Sequence, residues 1–501
     1  MGAASSTGRI ELLEDVRTSI GRIRGAFIDG QHVAASGPPL AVYDPSNGGE
    51  ILSIRECDAA LVDRAVQSAE RAFRDGRWSK LRPADRERIL LRFADVVESH
   101  IEELAQLESW NQGKSIHIAR AVDAAGSVEF MRYYAGLATK ITGQTFDVSI
   151  AVPPGARYTA FTRLEPIGVV AGITPWNFPL AIGVWKIMPA LAAGCSIVLK
   201  PSEITPLTTF RLAELALEAG VPPGVFNVIN GTGAIAGSAL VSHPLVRKIS
   251  FTGSTLAGKT IAKLAAENVT RVSLELGGKN PAIVLADADL NKVAPGLLMG
   301  GLFNSGQVCA AVSRIYVERP LFNELRDALA AGIKTMSLGP GLDPTAQINP
   351  LVSAQHKAKV ERHIEAATAA GAQILLGAPS PSEGFYVAPH LVIGADPQNP
   401  IQSEEVFGPV MSLTPVDSAH EAIALSNASR YGLAASLWTE SLTRGLQIVP
   451  EIQAGTVWVN SHVPLDPAMP FGGVKQSGYG REFGDKALEP YLETKSVCIA
   501  H

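Results

Sequence analysis

One cysteine stands in a setting that could make it a nucleophile. Cys309 lies in the segment FNSGQVCAA, residues 303–311, among small residues and shortly after a glycine that lets the backbone approach closely. A cysteine with apolar neighbours is usually inert packing, and that interpretation is adopted for Cys57, Cys195 and Cys498. Cys309 is a candidate nucleophile only if a base, an oxyanion donor and a binding site lie nearby.

Two further motifs supply an amide and a carboxylate. The segment TPWNFPL, residues 174–180, holds Asn177 between two prolines and two aromatic residues. Its amide could donate to a developing oxyanion, or it could satisfy a loop carbonyl. Glu275 ends an apolar stretch just before two glycines, where burial would raise its pKa towards that of a general base. A structural acid at the Gly-Gly turn is the alternative.

Three turns after predicted strands favour a nucleotide crevice. VLKPSE, residues 198–203, offers Lys200 and Glu203 to ribose or phosphate oxygens. ISFTGSTLAGK, residues 249–259, opens a helix whose first amides could bind an anion. NGTGAIAG, residues 230–237, imitates a GxGxxG turn without matching it. A nucleophile, an oxyanion donor, a base and a dinucleotide together describe a redox reaction through a covalent thiol adduct.

Alternating helical and strand patterns predict the elements that carry these residues. They indicate an α/β protein with two doubly wound, largely parallel sheets. Helices are predicted over residues 58–72, 83–107 and 122–138. The strands of the first sheet are predicted at residues 168–173, 196–199, 225–229 and 247–251. Those of the second are predicted at residues 281–285, 313–317, 410–413 and 456–459.

Three segments need a separate interpretation. Residues 143–164 and 493–500 alternate apolar and polar side chains, as edge strands do, and predict subunit association. Residues 167–185 carry no charge, but Pro175 and Pro179 favour a buried loop over a membrane span. The start, MGAASS, fits a loose myristoylation pattern, for which a frayed terminus is the preferred interpretation.

Composition limits the classes of partner. The 501 residues exceed what one hydrophobic core usually serves, and 46% are hydrophobic while 18% are charged. The net charge of −5 gives no electrostatic reason to expect nucleic acid or an anionic membrane as a partner. Four scattered cysteines suggest neither a zinc site nor a disulfide framework, so a reducing, cytoplasmic compartment is expected. No HExxH or GxSxG motif supports a zinc peptidase or serine hydrolase.

The order and spacing of seven motifs resemble those of the aldehyde dehydrogenase superfamily, from residue 26 to residue 497. The motifs are PWNFP, KPSE, FTGS, LELGGK, GQxC, EEVFGP (residues 404–409) and PFGGVKQSGYGRE (residues 470–482). The resemblance implies a Rossmann-like NAD-binding domain (residues 1–142 and 165–275) and a catalytic domain (residues 276–476). It also implies a small β oligomerisation element (residues 143–164 and 477–501), and hence a homotetramer or homodimer.

Carried over to matching positions, the family mechanism assigns Cys309 as nucleophile, Glu275 as base and Asn177 as oxyanion donor. The resemblance also implies a set of cofactor-binding residues: Ile173, Trp176, Lys200, Glu203, Gly233, Gly253, Ser254, Glu405 and Phe407. A carboxylate at the ribose hydroxyls, from Glu203, favours NAD over NADP, and Lys200 leaves NADP as a weaker alternative. Glu275 favours hydrolysis to the free acid over transfer to coenzyme A.

The residues that should line the substrate tunnel by the family pattern are all apolar or aromatic: Phe178, Ile182, Trp185, Phe303, Val308, Leu465 and Phe471. A cationic aldehyde would require acidic or caged aromatic contacts. The segments at residues 132–146 and 459–473 look most like phenylacetaldehyde dehydrogenases. The prediction is therefore oxidation of an aromatic or otherwise hydrophobic aldehyde, such as phenylacetaldehyde. The alternatives are an aminoaldehyde dehydrogenase or one of broad aliphatic range.

Two function classes remain as alternatives to a dehydrogenase. A catalytically silent member could bind nucleotide or serve a structural role, but the joint presence of Cys309, Glu275 and Asn177 argues against it. A cysteine hydrolase without redox chemistry is the other, since a thiol that forms thioesters can also cleave esters.

Overall fold

Five parallel strands form the centre of the larger sheet in the computed structural model, which describes residues 9–396 and 398–501. Each is buried along most or all of its length, which explains why it reads as a continuous apolar run. Three further strands, joined through antiparallel pairings, extend the sheet to eight. In spatial order the strands are Gly478–Tyr479, Arg271–Glu275, Val246–Thr252, Val169–Ile173, Ser196–Lys200, Phe226–Ile229, Gly25–Ile28 and Gln31–Ala34.

The second sheet has seven strands, of which six run parallel and only the outermost, Gln373–Leu376, runs antiparallel. The two sheets confirm the predicted α/β class. Three strands of this sheet were not predicted from the sequence: Gln373–Leu376, His390–Ile393 and the alanine-rich Ala434–Trp438. In spatial order the seven are Gln373–Leu376, His390–Ile393, Val410–Val416, Val312–Glu318, Asn280–Val284, Ala434–Trp438 and Thr456–Val459.

Two small antiparallel sheets complete the β structure. One pairs Pro39–Asp44 with Gly49–Arg55, and the other orders Leu492–Ala500, Tyr158–Pro166 and Thr145–Phe146. Of the edge strand predicted at residues 143–164, only the two ends are therefore observed as strands. Two consecutive prolines and a glycine at residues 153–155 interrupt it. Subunit association and the domain boundaries stay predictions.

Helices cover the sheets, and two predicted helices differ from those observed. The predicted helix 83–107 is two helices that meet at His100, whose backbone is not helical (φ −111°). The predicted helix 122–138 begins earlier, as a π-helical segment, Ala119–Ala125. The longer α-helices are Ala59–Arg74, Pro83–Ser99, Ile101–Gln112, Gly126–Leu137, Pro179–Ala193, Leu207–Glu218, Thr255–Ala266, Leu290–Leu302, Phe322–Thr335, Ala354–Ala369 and Ala419–Asn427.

Shorter helical segments join these elements. The short α-helices are Glu14–Ile20, Ile116–Ile118, Ser238–Val241, Pro400–Ser403 and Leu442–Ile448, and a second π-helical turn is Gly233–Gly237. The 3₁₀ turns are Phe303–Gly306, Arg319–Leu321, Val449–Glu451, Lys475–Ser477 and Asp485–Tyr491.

The uncharged stretch at residues 167–185 is divided, as its prolines predict. It forms the buried strand Val169–Ile173, a turn, and the start of the helix Pro179–Ala193. Among the residues that the structure describes, no helix combines the length and apolar character needed to cross a membrane. The MGAASS pattern lies outside the described residues.

A buried ion cluster joins the helix Ile101–Gln112 to the π-helical segment Ala119–Ala125 and to the turn at Phe178. Lys114 Nζ lies 2.9 Å from both carboxylate oxygens of Asp123 and 3.3 Å from Glu108 Oε1. The same ammonium lies 4.0 Å from the ring centroid of Phe178. The Lys114 and Asp123 side chains are fully buried. The cluster therefore holds the π-helical segment and the aromatic ring of Phe178 in fixed positions.

Replacing Asp123 by asparagine should destabilise the protein strongly. The change leaves the buried Lys114 ammonium without its nearer carboxylate, which costs about 3–5 kcal/mol for a broken buried pair. The denaturant midpoint measures the loss. As a control, Asp95→Asn removes a carboxylate paired with Arg132 on the surface and should leave the midpoint nearly unchanged. Equal midpoints for the two variants would contradict the prediction.

Candidate active site

Two cavities meet at Cys309. The first, of about 200 Å³, lies at the carboxyl ends of the strands of the eight-stranded sheet. The second, of about 330 Å³, lies on the other side of the thiol. Cys309 and Ile182 line both cavities. A group bound in one cavity can therefore meet a molecule bound in the other at the Cys309 sulfur.

A strained turn delivers Cys309 to this junction. Asn304 and Ser305 both have positive φ, 48° and 54°, and Gly306 follows with φ 73°. A side chain at Gly306 would collide with the carbonyl oxygen of Gly408. Ser305 Oγ donates to the Asn349 carbonyl at 2.7 Å and accepts from the Asn349 N–H at 3.1 Å. These contacts hold a backbone conformation that the residues alone would avoid.

The Cys309 thiol is protonated at neutral pH in this environment. Burial raises its pKa to about 12, and the negative charges of Glu275 and Glu405 add to the effect. The N–H of Ala310 acts in the opposite direction by hydrogen bonding to the sulfur. Because the thiolate is the nucleophile, a base must accept the proton when the sulfur reacts.

Asn177 is one of the residues that line the first cavity. It is 2% exposed, and its Nδ2 donates to the Gln307 carbonyl at 3.0 Å. A side-chain amide has two N–H donors, so the loop contact takes one and leaves the other for a ligand. Both interpretations of Asn177 offered by the sequence are therefore compatible with its position.

Glu275 is a buried carboxyl without a partner. It ends the strand Arg271–Glu275, is 5% exposed, and neither side-chain oxygen makes a hydrogen bond to any residue that the structure describes. Burial, followed by the charge of Glu482, raises its pKa well above its usual range, while Lys186 opposes the shift. An unsatisfied buried carboxyl is costly. Its retention in a cavity wall is typical of a group that handles protons.

Sequence reasoning missed an ion pair behind Glu275. Lys186 Nζ contacts a carboxylate oxygen of Glu482 and donates to Thr252 Oγ1 at 2.8 Å. Lys186 is the one charged residue of the apolar helix Pro179–Ala193 and is fully buried. The single charged residue within an apolar helix is the sequence feature that could have indicated this ion pair.

Five of the predicted cofactor residues line the first cavity: Trp176, Gly253, Ser254, Glu405 and Phe407. Trp176 contacts Phe407 at 5.2 Å between ring centroids. Ser254 Oγ caps the helix Thr255–Ala266 by accepting from the Ala257 N–H at 3.2 Å. His356 and Lys359 also line this cavity and were not predicted. They lie on the helix Ala354–Ala369, which no motif marks.

The other four predicted cofactor residues lie along the same sheet edge but outside the cavity lining: Ile173, Lys200, Glu203 and Gly233. Ile173 and Lys200 are paired at the ends of neighbouring strands. Lys200 Nζ donates to the Gly231 carbonyl at 2.6 Å and lies 3.8 Å from Glu203 Oε2. Burial lowers the pKa of Lys200. Gly233 begins the turn Gly233–Gly237.

The residues along this edge fit a dinucleotide. A helix N-terminus with a glycine before it suits phosphate, and carboxylates after strands suit ribose hydroxyls. The structure places Gly253, Ser254 and Glu405 in the lining of the cavity, and Glu203 follows the strand Ser196–Lys200 of the same sheet edge. Glu405 is fixed by the Gly278 N–H at 3.0 Å.

The second cavity is apolar. All seven residues predicted to line a tunnel contribute to it: Phe178, Ile182, Trp185, Phe303, Val308, Leu465 and Phe471. Phe130, Phe483 and Trp458 add aromatic surface, and the Trp458 indole N–H is already bonded to the Pro464 carbonyl at 3.0 Å. Among the described residues that line this cavity, only Cys309 is ionisable. The cavity suits an uncharged, hydrophobic molecule.

Comparisons with known proteins agree over almost the whole chain. A model described as the aldehyde dehydrogenase family matches residues 32–497. A phenylacetaldehyde dehydrogenase of Pseudomonas fluorescens is 45% identical, over 95% of both chains. An aminoacetaldehyde dehydrogenase of Pseudomonas aeruginosa is 43% identical, also over 95% of both. The NAD+ complex of a Bacillus cereus aldehyde dehydrogenase superposes with a TM-score of 0.95 at 41% identity, covering 98% of this chain and 99% of that one.

Proposed function

The chain belongs to the aldehyde dehydrogenase family, and we propose that it oxidises an aromatic or otherwise hydrophobic aldehyde to the carboxylic acid. It is an oxidoreductase, and its cofactor is NAD. The observation that carries the narrower substrate class is the lining of the second cavity, which offers no carboxylate to a cationic substrate.

Cys309 begins the reaction by adding to the aldehyde carbonyl. Its thiol proton passes to Glu275, whose oxygens are free to accept it. The sulfur forms a bond to the carbonyl carbon, and the C=O π electrons move onto oxygen, giving a thiohemiacetal anion. The free N–H of Asn177 and the Cys309 backbone N–H stabilise this oxyanion.

Collapse of the thiohemiacetal anion leaves a thioester on Cys309. When bound in the first cavity, NAD supplies the acceptor for the hydride that leaves the carbonyl carbon. Trp176 and Phe407, which pack edge to face on that cavity's wall, restrict the position of the ligand. The apolar second cavity keeps the hydrocarbon part of the substrate out of water.

Glu275 completes the cycle by hydrolysing the thioester. It first releases the proton it took from the thiol. The buried Lys186 ammonium favours this charged form of Glu275, although burial and the charge of Glu482, its ion-pair partner, together outweigh it and keep the Glu275 pKa raised. It then takes a proton from a water molecule that attacks the thioester carbonyl. The carboxylic acid leaves, and the Cys309 sulfur is reprotonated.

The apolar lining should select against charged aldehydes. Identity alone does not decide the substrate, because a phenylacetaldehyde and an aminoacetaldehyde dehydrogenase are about equally similar to this chain. A desolvated ammonium without a carboxylate partner costs several kcal/mol, which is more than the roughly 2 kcal/mol that a cation–π contact with an aromatic wall returns. Aromatic walls, in contrast, favour a phenyl ring by stacking and edge contacts.

A panel of aldehydes with NAD tests the substrate class. We expect kcat/KM for phenylacetaldehyde to exceed that for aminoacetaldehyde and betaine aldehyde by about a hundredfold or more, with hexanal between them, since each 1.4 kcal/mol of transition-state binding is a factor of ten. Similar or higher values for the amine-bearing aldehydes would reject the proposal and favour an aminoaldehyde or broad-range enzyme.

A charge placed at the mouth of the cavity provides a matched comparison. Leu465 lines the cavity and is 38% exposed, so Leu465→Glu should narrow the preference for phenylacetaldehyde over the cationic aldehydes. Leu442 is 68% exposed and lies outside the cavity lining, so Leu442→Glu should leave that preference unchanged.

The cellular setting is part of the proposal. All four cysteines are unpaired, which supports a reducing, cytoplasmic compartment. The strand Leu492–Ala500 lies at the edge of its sheet, which supports association of subunits into a dimer or tetramer. Size-exclusion chromatography with light scattering measures the subunit number directly.

A further inference from the structure

We propose that His462 is a positioning residue for Cys309, acting through a hydrogen bond to the carbonyl of Ala310 and through its contact with Trp458. The inference rests on the proposed function, because it concerns the same thiol. His462 is not part of either cavity lining, so its effect must pass through its neighbours.

Side-chain donors hold three consecutive carbonyls at and after the thiol. Asn280 Nδ2 donates to the Cys309 carbonyl at 2.8 Å and to the Ala311 carbonyl at 2.9 Å. His462 Nε2 lies 2.7 Å from the carbonyl oxygen between them, that of Ala310. Asn280 comes from the strand Asn280–Val284, whereas His462 follows the strand Thr456–Val459. Two different strands therefore fix the backbone that carries the sulfur.

The hydrogen bond to the Ala310 carbonyl determines which nitrogen of the His462 ring carries the hydrogen. A carbonyl oxygen only accepts, so His462 Nε2 must carry the hydrogen, and the neutral ring then has a lone pair on Nδ1. That Nδ1 is buried and has no hydrogen-bond partner among the described residues. An unsatisfied buried acceptor costs stability, which an apolar side chain would avoid. An imidazole at this position is therefore explained by the hydrogen bond that its N–H donates.

The ring of His462 also contacts the substrate cavity wall. Its centroid lies 4.8 Å from that of Trp458, which lines the second cavity. On its other side, a Cβ at Gly300 would lie 2.8 Å from His462 Cδ2. The imidazole is thus wedged between the cavity wall and the helix Leu290–Leu302, which leads into the Cys309 turn.

Ala310 is the residue through which His462 reaches the thiol. Its carbonyl accepts from His462, and its N–H hydrogen bonds to the Cys309 sulfur and favours the thiolate. Ala310 also lines the second cavity. The Ala310 N–H belongs to the preceding peptide group, whose carbonyl, that of Cys309, is held by Asn280. Releasing the Ala310 carbonyl would free the peptide group on the other side of the Ala310 Cα, so the N–H should be held less firmly beside the sulfur. We expect the thiol to become a weaker nucleophile without losing its substrate site.

Three substitutions separate the donor from the packing. His462→Gln keeps a neutral N–H donor on an unbranched side chain, and His462→Met has similar length and no donor. His462→Phe keeps a ring against Trp458 and also lacks the donor. All three are made in a Cys498→Ser background, because Cys498 is exposed and would be alkylated as well.

The primary readout is the rate of Cys309 alkylation by iodoacetamide as a function of pH, with kcat and KM for phenylacetaldehyde measured alongside. We expect His462→Met and His462→Phe to alkylate about tenfold more slowly, with the pH profile displaced to higher pH, and to lose about tenfold or more in kcat. KM should change by less than about threefold. His462→Gln should stay within about threefold of the parent enzyme.

Other results would overturn the inference. Alkylation at the parent rate in His462→Met would show that the donor does not act on the thiol. Equal losses in His462→Gln and His462→Met would show that only the ring's packing matters. If His462→Phe fails to fold, the comparison of His462→Gln with His462→Met still tests the role of the donor. Alkylation requires no aldehyde, so an incorrect substrate assignment would leave this test intact.

Discussion

Cys309→Ser is expected to abolish aldehyde oxidation, lowering kcat with phenylacetaldehyde by about a thousandfold or more, the order found when a nucleophile is removed. Serine keeps the shape of the side chain, but a hydroxyl is a far weaker nucleophile than a thiolate near neutral pH. Cys309 is one of many residues that line the first cavity, and serine fills nearly the same space there. NAD binding, measured by calorimetry, should therefore stay close to that of the parent enzyme.

The chain offers a matched control for this substitution. Cys498 is exposed, on the strand Leu492–Ala500 far from both cavities. Cys498→Ser should oxidise phenylacetaldehyde at the parent rate and lose one fast-labelling thiol. Undiminished acid formation by Cys309→Ser would contradict the mechanism, and loss of activity in Cys498→Ser would point to a different nucleophile.

Glu275→Gln should separate the two halves of the reaction. The amide cannot take a proton from water, so the thioester should accumulate and steady-state turnover should fall by about a hundredfold or more, the order of general-base catalysis. Hydride transfer precedes this step. Rapid mixing should thus still show NADH formation up to about one equivalent per subunit, at a slower rate if Glu275 also accepts the thiol proton.

The pH dependence of the parent enzyme provides an independent check. Burial raises the Glu275 pKa well above its usual range, and the ionised form is the one that acts as a base. The kcat should therefore rise with pH across that raised pKa, and this acid limb should be absent from Glu275→Gln. As a control, Glu318→Gln removes a carboxylate at the end of Val312–Glu318, outside both cavity linings. The acid limb of its kcat profile should match that of the parent enzyme. Full turnover by Glu275→Gln would contradict the assignment.

The motifs around the site were predictable because local chemistry constrains them. Two prolines fix the turn at Asn177, and two glycines follow Glu275. The family and NAD, predicted from such motifs, and the α/β fold, predicted from the alternation of helical and strand patterns, are confirmed. The roles of individual residues stay predictions. That Cys309, Asn177 and Glu275 line one cavity could not be derived from sequence spacing, because convergence depends on which strands become neighbours in space.

Three features of the structure have no local sequence pattern that predicts them. Ala434–Trp438 is a central strand made largely of small residues, and strand propensity reflects packing more than sequence. The break at His100 occurs without proline or glycine. His462 gave no motif either, since its contact with Ala310 joins residues 152 positions apart. Tertiary contacts, rather than local propensity, decide all three features.

The most direct test of the account is the covalent intermediate itself. Glu275→Gln is mixed with NAD and phenylacetaldehyde, quenched in acid, digested and analysed by mass spectrometry. We expect one phenylacetyl group per subunit, bound as a thioester to the peptide that contains Cys309 and released by hydroxylamine. An unmodified Cys309 peptide after NADH has formed, or an acyl group on another residue, would contradict the claim that the thiol between the two cavities carries the substrate.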